Sequence, residues 1–166
     1  TLKQDWKQLI EKIVSKQECL MHGDFHSSNI FVSTSTFKVI DMEYTMTGPF
    51  AYDIGYFLAN ILSQFAAFML KDDTAMCTFL LQVIRDLYQT YFKYFADHVV
   101  GDQQEQFLTI FQDSLGYLAI ANINRIVNLG DFPDFDCLKT EKEVFLAKGL
   151  SLYLAQSLLG CRQALT

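Results

Sequence analysis

The feature that most constrains the fold is a helical repeat of apolar residues that begins after Gly48-Pro49 and continues almost to the end of the chain. From Ile54 onward, apolar side chains recur at intervals of three and four residues, which places them on one face of an α-helix. Helices are predicted over residues 54–70, 75–98 and 104–128, and from the capping box at Thr140–Glu143 to about Leu165. The chain is therefore expected to be mainly helical.

The first third of the chain has a different pattern. Residues 3–16 show helical spacing, and Cys19–Met21 is typical of a short buried strand. Two β-prone runs, Ile30–Val32 and Phe37–Ile40, are separated by serines and threonines, which predicts a hairpin. The predicted fold class is thus α-rich α+β, a helical bundle with one small β-hairpin, and we expect residues 1–166 to form one domain or a large piece of one.

Composition excludes several classes of function. A net charge of −6 argues against a nucleic-acid-binding surface, which requires basic patches. The uncharged segment Ile54–Leu70 contains Asn60, Ser63 and Gln64, which favours a buried core helix over a membrane span. Four widely spaced cysteines without a C-x-x-C pair indicate reduced, mostly buried thiols in a cytoplasmic protein, with a disulfide as the alternative.

The hairpin is predicted to gather polar side chains at its open end. If Ile30 faces Ile40, the next pair is Asn29 with Asp41, and directly opposed Cβ atoms lie about 4.5–5.5 Å apart. Glu43 follows on the same side of an extended chain, and the loop before the hairpin carries Asp24 past the same end. These oxygen donors suit Mg²⁺, which takes few protein ligands. Asp24, set apart in sequence, is then available as a base.

A second interpretation of the same segment is a metal-binding strand, His22-x-Asp24-x-His26. Imidazole ligands favour Zn²⁺ or iron, but such sites usually need further histidines. The remaining histidine, His98, is expected on the solvent-facing side of a helix. The histidine count therefore argues against this alternative.

The segment "HGDFHSSN", His22 to Asn29, followed by an aspartate at position 41, resembles the catalytic loop and metal-binding segment of the protein-kinase-like fold. It has the H-G-D-x-H-x-x-N form of small-molecule kinases such as aminoglycoside phosphotransferases and choline kinases. The run from Lys38 to Leu62 and the segment "NRIVNLGDF", Asn124 to Phe132, are similar to S-methyl-5-thioribose kinases. The resemblance covers roughly residues 18–165.

This resemblance implies a phosphotransferase that uses ATP and Mg²⁺. Asp24 is expected to orient and deprotonate the substrate hydroxyl, while Asp41 and Glu43 hold Mg²⁺ with help from Asn29. Positioning and charge neutralisation supply most of the rate in such reactions.

The resemblance also implies supporting roles for three further residues. His22 is expected to support the loop by hydrogen bonding to backbone. Asp53 is expected to cap the helix that follows and to reach back to loop amides. Arg125 matches one of two paired arginines near the substrate, although Asn124 stands where the first of that pair is expected.

Two alternatives remain open from the sequence. One is an aminoglycoside- or choline-type phosphotransferase with another hydroxylated acceptor, and the other is a non-catalytic kinase-like binding module. The resemblance implies a C-terminal lobe whose partner is an N-terminal lobe carrying the adenine-binding groups, so that this chain alone is inactive. Its apolar content suggests a further contact surface, for that lobe or a homodimer.

Overall fold

The computed structural model of the protein describes residues 2–97, 101–127 and 132–165. The α-helices in this part of the chain are α1 (Leu2–Ser15), α2 (Ala51–Leu70), α3 (Thr74–Ala96), α4 (Gln103–Val127) and α5 (Glu141–Cys161). The strands are β1 (Cys19–Met21), β2 (Ile30–Val32), β3 (Phe37–Val39) and β4 (Met46–Gly48). The fold is thus the predicted α-rich α+β arrangement, a helical bundle with small antiparallel strand pairs. His98, which was predicted on the solvent-facing side of a helix, lies outside the described residues.

Helix α2 is the centre of the bundle and packs against α3, α4 and α5. Leu58 and Ala59 on this helix are almost completely buried. The approach of α2 to α4 is closest at Gly55, where an added Cβ would lie 2.5 Å from both the Ser114 carbonyl oxygen and the Tyr117 Cβ. Glycine is therefore required at this helix crossing by space, not by backbone conformation.

Gly55→Ala is expected to lower the free energy of unfolding by about 1–3 kcal/mol, because the new methyl group meets backbone that cannot move away. The matched control is Gly149→Ala in α5, where an added Cβ has no atom within 4 Å. That change is expected to raise stability by about 0.5–1 kcal/mol, the helix-propensity gain of alanine. Chemical denaturation of both variants measures the difference, and equal effects of the two substitutions would contradict this view of the α2–α4 contact.

Helix α1 is held against α4 and the C-terminus by a buried apolar side chain, a hydrogen bond and ion pairs. Leu9 is fully buried, and its carbonyl accepts a hydrogen bond of 3.0 Å from the Tyr117 hydroxyl. Lys12 Nζ lies 2.5 Å from Asp113 Oδ2, and the other Asp113 oxygen lies 3.5 Å from the buried Arg162 guanidinium. Each charge in this cluster is therefore compensated, as burial requires.

Two antiparallel strand pairs frame the predicted functional segment. Strand β1 pairs with β4, with Cys19 opposite Gly48, and β2 pairs with β3. Strand β4 was not predicted. Its pairing with β1 brings together the two ends of the segment 22–45. Both ends of this segment are therefore fixed at one place.

The predicted hairpin register is wrong by one residue. Ile30 pairs with Val39, not with Ile40, and Ile40 N donates to the Asn29 carbonyl at 3.0 Å. Asp41 adopts a left-handed backbone conformation with φ of 64° and ends the ladder. Asn29 and Asp41 are therefore not cross-strand partners.

The C-terminal helix begins as predicted. Thr140 Oγ1 accepts a hydrogen bond from Glu143 N at 3.2 Å, and Glu143 Oε2 accepts one from Thr140 N at 2.9 Å. This reciprocal capping box satisfies two backbone donors at the helix start. The helix ends at Cys161 and continues into a 3₁₀ turn, Arg162–Ala164.

All four cysteines are free, as predicted, but the expectation of mostly buried thiols is wrong, because Cys19, Cys77 and Cys137 are only half-buried and Cys161 is exposed. Within the part of the chain that the structure describes, two segments, Ala51–Leu70 and Glu141–Ala164, have the length and hydropathy of a membrane span. In the first segment, 56% of the most apolar part is buried within the protein. In the second segment the corresponding share is 22%. The first segment, α2, is therefore a core helix of the bundle.

Candidate active site

The segment between β1 and β2 forms a tight loop that contains Asp24. Gly23 has a φ of 86°, in the left-handed region that favours glycine. The loop then enters a 3₁₀ turn, Ser27–Asn29, which leads directly into β2. The conformation at Gly23 turns the chain sharply as it leaves β1, immediately before Asp24.

His22 is buried and joins the loop to the far end of the hairpin. Its Nε2 lies 2.8 Å from the Ile40 carbonyl oxygen, and its Nδ1 lies 3.3 Å from the backbone N–H of Asp24. A carbonyl can only accept, so Nε2 carries the proton, and Nδ1 accepts from Asp24 N. The neutral imidazole thus connects the backbone of Asp24 with the residue immediately before Asp41.

Asp53, in the first turn of α2, accepts hydrogen bonds from two loop amides. Its Oδ2 lies 2.6 Å from His22 N, and its Oδ1 lies 3.1 Å from Gly23 N. Asp53 does not cap α2, because the helix N-cap is Phe50, without a side-chain cap of its own. Glu18 Oε2 instead accepts from Phe50 N at 3.1 Å. The expected capping role of Asp53 is therefore wrong, and its carboxylate is used entirely by the loop.

Asp24 has a fixed backbone and an accessible carboxylate. Its N–H is held by His22, and its carbonyl accepts a hydrogen bond of 3.0 Å from Asn29 Nδ2. Its side chain is 27% exposed, and Oδ2 lies 3.4 Å from His26 Nε2. Burial, followed by the charge of Asp24, raises the pKa of Tyr56 to about 12, so that this neighbouring hydroxyl stays protonated at neutral pH. The carboxylate is thus oriented but can still reach a ligand.

The structure places the three predicted metal ligands around the end of the hairpin. Asn29 is buried, and its amide nitrogen is occupied by Asp24, which leaves the amide oxygen for another partner. Asp41 and Glu43 are exposed, on and just after the left-handed turn that ends β3. Within the described ranges, no group of three or more His, Cys, Asp or Glu side chains is placed to hold a metal ion. Asp24, Asp41 and Glu43 are therefore not brought together into one closed cluster.

Arg125 lies near the end of α4 and is almost completely buried. Its Nε and Nη2 donate to Asp134 Oδ2 at 3.2 and 3.0 Å, and its guanidinium lies 4.1 Å from the centre of the Phe132 ring. Its Nη1 is buried and has no hydrogen-bond partner among the described residues. Arg125 also lines a cavity of about 300 Å³ together with Phe132, Asp134 and Lys148.

Two further residues of this region escaped the sequence analysis. Asn60, in α2, accepts a hydrogen bond of 3.3 Å from Ser27 N and donates through Nδ2 to Asp134 Oδ1. Burial raises the pKa of Asp134, against the opposing effects of Arg125 and Asn60. The available signal was a polar residue within the strongly apolar pattern of α2, which indicates a buried side chain with a specific partner.

Known proteins resemble this chain over nearly its whole length. Residues 1–77 match the phosphotransferase enzyme family. The chain is 30% identical to the methylthioribose kinases of Bacillus cereus and Bacillus mycoides, in alignments that cover 96% of this chain and 42% of each relative. The chain thus spans less than half the length of these relatives.

Proposed function

We propose that this chain is the catalytic-loop and substrate-binding lobe of a cytoplasmic, ATP-dependent small-molecule kinase, because its residues 1–77 match the phosphotransferase enzyme family. The proposed acceptor is S-methyl-5-thioribose, supported by the similarity to methylthioribose kinases across 96% of the chain. The observation that carries the proposal is the geometry of Asp24, whose backbone is fixed on both sides while its carboxylate stays accessible.

Asp24 is proposed to act as the base. The acceptor hydroxyl oxygen attacks the γ-phosphorus of ATP, the bond from that phosphorus to the β,γ-bridging oxygen breaks, and ADP leaves. The hydroxyl proton passes to the Asp24 carboxylate. In such a transfer the protein contributes mainly by positioning the reacting groups. The hydrogen bonds of the loop contribute to catalysis because they keep this carboxylate in position.

The donor set fits a magnesium ion that arrives with the nucleotide. Asp41, Glu43 and the Asn29 amide oxygen are hard ligands, and Mg²⁺ is usually held by one or two carboxylates together with substrate phosphates. The absence of a closed carboxylate cluster in the described residues agrees with this mode, since a preformed protein cage is not needed. When bound, the ion would neutralise negative charge on the phosphates.

Arg125 is proposed to act as a hydrogen-bond donor to the substrate or to the transferred phosphoryl group. Its charge is already balanced by Asp134, at 3.0 Å, so its distinctive property is the buried Nη1, which has no partner among the described residues. A buried donor without a partner is unfavourable unless a ligand satisfies it.

The test is ADP formation by the full-length protein that contains this chain, with Mg²⁺ and ATP and with methylthioribose, choline or an aminoglycoside as acceptor. We expect the highest kcat/KM with methylthioribose and loss of activity when EDTA removes Mg²⁺. A preference for choline or an aminoglycoside would reassign the acceptor. No transfer to any of the three would contradict the proposed class of acceptor.

A further inference from the structure

A buried chain of hydrogen bonds connects the Asp24 loop to Arg125. It runs from Ser27 N to Asn60, from Asn60 to Asp134, and from Asp134 to Arg125. The side chains of these last three residues are at most 5% exposed. The contacts join parts of the chain that are far apart in sequence, namely the loop after β1, the middle of α2, the end of α4 and the 3₁₀ turn Pro133–Phe135.

Asn60 is suited to join two different partners. Its amide oxygen accepts from the loop backbone, while its amide nitrogen donates to a carboxylate. Leucine at this position would fill similar space on α2 but would leave Ser27 N and one Asp134 oxygen without these contacts. Because α2 packs against three other helices of the core, its hydrogen bond through Asn60 holds the loop at a fixed position relative to the bundle.

Asp134 holds Arg125 in a defined orientation. One of its oxygens receives both Nε and Nη2, and the Phe132 ring lies against the guanidinium at 4.1 Å. This leaves Nη1 as the nitrogen without a partner among the described residues. The orientation of Arg125 and the position of Ser27 therefore both depend on the Asn60–Asp134 contact.

We propose that Asn60 and Asp134 are positioning residues that hold Arg125 and the loop containing Asp24 in a fixed relative position for phosphoryl transfer. This proposal rests on the proposed kinase function. It goes beyond that function by assigning roles to two residues that touch neither reacting atom. A shift of about 1 Å between catalytic groups can reduce a rate about 100-fold.

The decisive experiment is a reciprocal exchange of the two side chains in the full-length protein. Asn60→Asp sets two carboxylates against each other, and Asp134→Asn removes the counter-charge of Arg125. In the double variant, one oxygen of the residue 60 carboxylate accepts from Ser27 N, and the other accepts from the amide nitrogen of residue 134. The amide oxygen of residue 134 accepts from Arg125. The exchange therefore restores every hydrogen bond of the chain at unchanged net charge.

We expect each single variant to lower kcat about 10-fold to 100-fold, with a much smaller change in KM for ATP, and the double variant to recover most of the loss. Asn122→Asp is the matched control. Asn122 is another buried asparagine, which bonds Ser63 and Ser151 at 3.0 and 2.9 Å in the core. Its substitution is expected to lower the melting temperature without this effect on kcat.

A second readout separates this proposal from the proposed function. Amide hydrogen exchange over residues 22–29 is expected to accelerate in both single variants and to return to the wild-type rate in the double variant, whether or not the acceptor has been correctly identified. Unchanged exchange in the single variants, or a double variant no better than the worse single one in kcat and exchange, would overturn the positioning role. An inactive wild-type protein with the expected exchange pattern would instead count against the kinase assignment alone.

Discussion

Replacement of Asp24 by asparagine in the full-length protein is expected to lower kcat about 10²-fold to 10⁴-fold, the usual contribution of a general base. The substitution keeps the shape of the side chain and removes its capacity to accept a proton. The backbone of residue 24 stays held by His22 and Asn29, because those contacts use only its N–H and carbonyl groups. Steady-state kinetics with saturating ATP and acceptor measures the loss.

Asp86→Asn provides the control for this substitution. Asp86 is an exposed acid on α3 whose carboxylate contacts Gln82 at 2.7 Å, remote in sequence from the loop. The substitution Asp86→Asn removes the same charge as Asp24→Asn and is expected to leave kcat unchanged. Circular dichroism and melting temperatures close to wild type are expected for both variants. Turnover by Asp24→Asn within a fewfold of wild type would remove Asp24 from the role of base.

Gly23→Ala is expected to have the second large effect, a loss of activity of about 100-fold or more through displacement of the loop. Two causes act together. An alanine at a φ of 86° is strained by about 1–2 kcal/mol, and its Cβ would lie 2.8 Å from the Tyr44 Cβ and 2.9 Å from the Tyr44 carbonyl carbon. Relief of this clash moves either residue 23 or the segment just after Glu43. Kinetics and hydrogen exchange over residues 22–45 measure the result.

Gly101→Ala separates the two causes. Gly101 also has a positive φ, of 111°, but the nearest atom that an added Cβ would meet among the described residues is the end of the Gln106 side chain, at 3.1 Å. This variant is expected to lose stability through backbone strain alone and to retain full kcat. Equal activity in Gly23→Ala and wild type would show that the approach of the loop to Tyr44 does not control the position of Asp24.

The helices were predictable because their apolar repeats are local signals. The α2 pattern and the Thr140 capping box lie in consecutive residues, and the structure contains both. Strand β4 was missed because three residues, Met46–Gly48, carry little periodicity and are fixed by pairing with a distant strand. The hairpin register was misplaced because it is set by the turn between the strands, where Ser33 N donates to the Thr36 carbonyl at 2.8 Å, and the β-propensity of the flanking residues does not fix the length of that turn.

The site was predictable to the extent that its residues lie in one short motif. His22, Asp24 and Asn29 are neighbours in sequence, and their mutual hydrogen bonds follow from a tight loop. The link from Asn60 through Asp134 joins residues separated by 74 positions, and periodicity carries no information about such a pair. The same limit applies to Arg125, whose sequence context does not reveal that Asp134 neutralises it.

The docking of α1 has a practical consequence for measurements on this protein. The sole tryptophan of the chain, Trp6, lies on this helix and packs against the core formed with α2 and α4. Its emission therefore reports whether α1 is attached to the bundle. A sample whose catalytic loop has opened locally can keep a native fluorescence spectrum, and a shifted spectrum indicates detachment of α1 even where the loop contacts persist.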